Sequence, residues 1–79
     1  MVNPKFREKL LEIVENQLKE NDPPCTGETL NKLMQMGKTE EESKLLIAGI
    51  LVEEMYDIMK NQVPFNESRY AEKLAKLTS

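Results

Sequence analysis

An all-α bundle of about four helices is the fold this 79-residue chain predicts. Three observations predict it. Apolar residues recur at helical spacing through most of the chain. The breaks between these stretches carry proline, glycine and capping residues. No segment alternates apolar and polar residues as a half-buried strand does. The expected helices cover approximately 4–20, 27–36, 40–61 and 67–77, in a single domain spanning 1–79 with the third helix at its centre.

Asn3 and Pro4 open the first helix, as N-cap and first helical residue. Phe6, Leu10, Ile13, Val14 and Leu18 then fall on one side with Leu11. Glu8, Glu12, Glu15, Asn16 and Lys19 fall on the other, which makes an ordinary amphipathic helix. The stretch NDPPCT, residues 21–26, ends it, because two prolines cannot continue a helix. Thr26 is the expected cap of a short second helix carrying Leu30, Leu33, Met34 and Met36. Gly37 suits the left-handed residue that closes such a helix. Thr39-Glu40-Glu41-Glu42 is a capping box, and its acids suit the positive end of the next helix dipole.

The third helix, about 40–61, is apolar over more than half its circumference. Ile47, Ala48, Leu51, Val52, Met55, Tyr56, Ile58 and Met59 form the wide arc expected to face inward. A helix so apolar is surrounded rather than laid on a surface. The remaining arc holds Ser43, Glu53, Glu54, Asp57 and Asn61, so the acids are expected on an outer rim. Leu46 and Ile50 interrupt that polar arc and need cover. Gly49 costs about 1 kcal/mol in a helix interior and permits close approach of another helix. Pro64 ends the segment, and Asn66 caps a fourth helix with Tyr70, Ala71, Leu74 and Leu77 inward.

Size bounds the function. A chain this short buries only about 60% of its unfolded surface, so its core is thin. Its single Cys25 cannot form an internal disulfide, and with no His a zinc staple lacks ligands. Oligomerisation is the remaining common support. The expected interface is the third-helix patch of Leu46, Gly49 and Ile50, with a second copy or another protein as partner.

Several classes are disfavoured. The first residues lack the apolar core of a signal peptide, and the uncharged run Leu45–Val52 is far below the ~20 residues of a membrane span. A cytoplasmic location and no membrane partner are expected. Net charge is −3 with the signs interspersed, so no basic stripe is available for nucleic acid. Without His, triads of the Ser-His type are excluded. Acids near Cys25 (Asp22, Glu28) disfavour a thiolate nucleophile. The three scattered glycines make no phosphate loop. The methionines at 34, 36, 55 and 59 read as core filler. No catalytic residue and no cofactor is assigned.

Three local patterns and one broader pattern resemble known families. Glu54-Met55-Tyr56-Asp57, with Glu53 beside it, resembles half of the magnesium site of all-α nucleotide pyrophosphohydrolases. That resemblance implies an alternative function, nucleotide hydrolysis with metal ligands Glu53, Glu54 and Asp57. The matching E-x-x-E pair would be Glu12 and Glu15, at a longer separation than the family has. The ordinary reading of the same acids is a solvated helix face. Residues 30–46 resemble a helix-turn-helix in outline, but three acids would open the recognition helix. Met36-Gly37 also resembles the partner-binding loop of ubiquitin-associated-type domains, with Lys38 in place of the usual aromatic. This implies a groove for a peptide or protein there. More broadly, NDPPCT, LMQMGKTEEESKLLI, EMYDIMK and PFNESRY, in this order, resemble a small α-helical domain of uncharacterised bacterial proteins. That resemblance implies fold and class and no activity.

Overall fold

The computed structural model describes residues 4–79, with side chains from Arg7 onward. The N-cap assigned to Asn3 and the core role assigned to Phe6 lie outside the described residues. Four helices follow in order: α1 Pro4–Glu20, α2 Pro24–Gln35, α3 Glu40–Asn61 and α4 Glu67–Lys76. Among the described residues there is no strand. Among the described residues no helix is long and apolar enough to cross a membrane.

The connections are set by local chemistry. Helix α1 closes on Asn21 in the left-handed region (φ 53°). The Asp22 amide donates to the Gln17 carbonyl at 3.0 Å and the Asn21 amide to that of Leu18 at 3.3 Å, the paired bonds of a Schellman motif. Gly37 (φ 99°) closes α2 in the same way, with Lys38 N–H on Leu33 O and Gly37 N–H on Met34 O. At Thr39 the capping box is complete: Glu42 N–H donates to the Thr39 hydroxyl at 3.1 Å, and Thr39 N–H to the Glu42 carboxylate at 3.0 Å. Asn66 caps α4 by accepting from Arg69 N–H at 3.0 Å.

Helix α2 starts earlier than expected, at Pro24 with Pro23 as N-cap, and Thr26 is not the cap. Pro24 has the φ of a first helical residue and needs no amide partner there, so the second proline begins a helix while the pair ends the previous one. Thr26 is thereby moved inside α2, where it is fully buried and donates to Gln17 Oε1 at 2.8 Å.

The core draws on every helix: Leu10 and Val14 from α1, Leu33 from α2, Ile47, Ala48 and Leu51 from α3, and Tyr70 and Leu74 from α4. Helix α3 packs against each of the other three, as its breadth of apolar surface predicts. The inward side of α2 is Thr26, Thr29 and Leu33, one helical stripe. Met34 and Met36, expected as core filler, are exposed: Met34 lies off that stripe, and Met36 stands past the last helical residue as the C-cap.

Helix α3 also departs from its expected facing. Tyr56 and Met59, placed inward by the width of the apolar arc, are 69% and 78% exposed. Glu54 and Ser43, placed on the outer rim, are fully buried. The helix is rotated so that the Ile47–Leu51–Glu54 stripe faces α4 and the core, at the expense of the Tyr56–Met59 side.

Candidate functional site

Two surfaces of α3 carry the residues singled out by sequence. The first is the acidic trio Glu53, Glu54 and Asp57. The structure brings it against α4, one of whose faces presents Arg69 and Lys73 one turn apart. Arg69 grips Glu54 through two nitrogens: Nη2 lies 2.8 Å from Oε2, and Nε lies 3.0 Å from Oε2 and 3.2 Å from Oε1. Lys73 Nζ lies 3.1 Å from Glu54 Oε1. Asp57 is 3.6 Å from Arg69 and 3.9 Å from Lys73, and Glu53 is 3.8 Å from Lys73.

Hydrogen bonds from Arg69, helped by Lys73, hold the Glu54 carboxyl below its usual range against the opposing effect of burial. Glu54 is covered rather than deep. What hides it is the pair of cationic side chains, themselves 35% and 26% exposed. The cluster is thus an ion-pair network joining α3 to α4. Among the described residues no three of His, Cys, Asp and Glu are placed to hold a metal ion. Glu15 is engaged elsewhere, by Lys44, which also bonds Glu40 at 2.9 Å. Lys44 lies ten residues before Glu54, about 15 Å along the helix. The E-x-x-E and E-x-x-D halves therefore do not meet in one chain.

The signal that Glu54 is internal was present in the sequence. It lies seven residues after Ile47 and three after Leu51, on their side of the helix. A polar cluster that sequence reasoning missed altogether lies behind it. Gln17 Oε1 accepts from both Thr26 Oγ1, at 2.8 Å, and the Tyr70 hydroxyl, at 3.1 Å. Burial pushes the Tyr70 phenol up, so the hydroxyl keeps its proton and donates. Phe65 tilts against the Tyr70 ring at 5.5 Å between centroids. Burial, then the charges of Glu67 and Glu28, push the Cys25 thiol up, which leaves it a poor nucleophile.

The second surface is the outer side of α3, opposite its core stripe. Leu46 is 37% exposed, and a Cβ built on Gly49 would meet nothing within 4 Å. Gly49 is therefore not required by any neighbour inside the chain. Ile50, expected to share this patch, is half-buried and packs on the core, so it sits at the edge. The centre of the surface lies instead along Gly49 and Tyr56, with Leu45 and Val52 half-covered beside them. Tyr56, Met59 and Lys60 line a shallow groove at its far end. Beyond the turn, Met34 and Met36 leave an apolar patch around the end of α2. No family model, no curated protein and no solved structure matches this chain.

Proposed function

We propose that this chain is a non-catalytic helical interaction domain that self-associates through the outer side of α3. One observation carries the reading. Helix α3 is apolar around most of its circumference, yet its neighbours cover only one side, so Leu46, Gly49, Tyr56 and Met59 stand in solvent. An unpartnered apolar side of this kind marks an interaction surface. A thin core gives the chain reason to use it, since association adds buried apolar area that a small domain lacks. The glycine supports the same reading: it weakens the helix by about 1 kcal/mol with no return inside the monomer.

Magnesium-dependent nucleotide hydrolysis at Glu53, Glu54 and Asp57 has less support. The central carboxylate of that trio is already shared between a guanidinium and an ammonium group. Sedimentation at micromolar concentration tests the favoured reading. The wild-type chain is expected to move from monomer to dimer with concentration, and Leu46→Glu to remain monomeric and folded. A wild-type chain that stays monomeric throughout removes it.

A further inference from the structure

We infer that the self-associated form is an antiparallel, two-fold pair of α3 helices in which Tyr56 of each copy fills the notch over Gly49 of the other. This rests on the self-association reading above and adds the partner geometry. At 100° per residue, Glu42, Gly49, Tyr56 and Lys60 lie within about 40° of one another on the helix surface, on the side away from the core. They form a spine along the exposed side. Gly49 makes a gap in that spine, open to solvent with nothing within 4 Å of its Cβ direction. Tyr56, one heptad and about 10 Å further along, makes a projection, with 69% of its surface exposed. A gap and a knob on one face, at one spacing, are self-complementary under a two-fold axis midway between them.

That register matches the flanks as well. An antiparallel pair centred between Val52 and Glu53 places Leu45 beside the partner's Met59, and Val52 beside its own copy. These residues share one flank of the spine, half-covered or exposed in the single chain. On the other flank Glu53 lies 3.8 Å from Lys73, which offsets its charge near the axis. Charge also selects the antiparallel sense. Acids occupy the first turn of α3 and Lys60 its last turn. Antiparallel helices bring Glu42 within reach of the partner's Lys60 and oppose the two helix dipoles, whereas a parallel pair stacks Glu42 on Glu42.

Cross-linking reads the register directly. Gly49→Cys and Tyr56→Cys are made separately in a Cys25→Ser background, and the two proteins are mixed and oxidised. The expected product is a covalent 49–56 heterodimer, found by intact mass in the mixture and scarce in either protein alone. The mixed dimer keeps one native Tyr56–Gly49 contact, so the variants still assemble. In sedimentation, Gly49→Leu and Tyr56→Ala are each expected to raise the dissociation constant about tenfold or more. Both positions are exposed, and circular dichroism shows whether the fold is kept. A dimer that links 49 to 49 or 56 to 56 within a single variant overturns the inference. So does a dimer indifferent to Gly49→Leu, and in either case the self-association reading stands. A chain monomeric at every concentration overturns both.

Discussion

A carboxylate with no accessible surface has to be matched by charge and by hydrogen bonds, and Glu54 is matched by Arg69 and Lys73. Because the covering cations reach solvent, the net contribution of the cluster is that of a few charge-assisted hydrogen bonds rather than of a deep ion pair. Replacing Glu54 by Gln is expected to cost about 1–2 kcal/mol at pH 7 in urea unfolding followed by circular dichroism. Arg69→Ala should cost a similar amount, since it removes the guanidinium hydrogen bonds and part of the cover, leaving the carboxylate to Lys73 and water. The pH dependence follows from the sign of the shift. The Glu54 carboxyl is held below its unfolded value of about 4.3, so its contribution is complete above that pH. It is lost as pH falls through the lower folded value. Wild-type and Glu54→Gln stabilities should therefore stay apart near neutrality and converge as pH falls through that lower folded value. Equal acid sensitivity of the two proteins would show that the pair contributes nothing.

The helices begin and end where short-range chemistry tells them to. Thr39 and Glu42 exchange two hydrogen bonds at the start of α3, the helix on which all others pack. Those bonds from Thr39 hold the Glu42 carboxyl below its usual range. Thr39→Ala removes one bond of the box and should destabilise the protein by about 1 kcal/mol, read as a lower urea midpoint with unchanged slope. The proline-rich turn shows why an element boundary can be misread. Pro23 and Pro24 both look like stops, yet only the first position lies outside a helix. With α2 begun at Pro24, Thr26 and Thr29 turn inward, Met34 faces out, and Met36 falls beyond the last turn. The stretch PFNESRY is used residue by residue in the same local way. Phe65 packs on Tyr70, Asn66 caps, and Arg69 reaches back to Glu54.

For the whole molecule the balance of α3 decides the behaviour. Its core side joins three helices, and its outer side exposes Leu46, Tyr56 and Met59. Gly49 lies on that outer side, where a methyl group meets open space. Gly49→Ala should therefore raise monomer stability by about 1 kcal/mol in urea unfolding at concentrations low enough to keep the chain dissociated. A loss of stability there would mean that the helix is not free on that side. Self-association also predicts that the wild-type melting temperature rises with protein concentration, while that of Leu46→Glu does not.

The amino-acid sequence by itself determined four helices, the capping box at Thr39, the left-handed turn at Gly37 and the Asn66 cap. Each of these is settled by residues within about four positions of one another, so no distant neighbour can overrule it. The inward stripe of α1 was legible for a related reason: its apolar residues gather on one side, so its periodicity points one way, although Gln17 on that side gave no sign of its partners. Helix α3 gave no such direction. Being apolar over more than half its circumference, it could turn either edge of that arc to the core, and periodicity alone places Tyr56, Met59 and Glu54 on the wrong sides. The spacing of Glu54 from Ile47 and Leu51 hinted at its side, but only the tertiary structure decided the facing of the helix, because the outcome depends on what α4 and α1 bring to it. Arg69 and Lys73 draw Glu54 inward, and the hydroxyls of Thr26 and Tyr70 meet at Gln17 across 9 and 53 residues of chain. Contacts between groups so far apart in sequence leave no local trace, and they fix which side of the central helix remains for a partner.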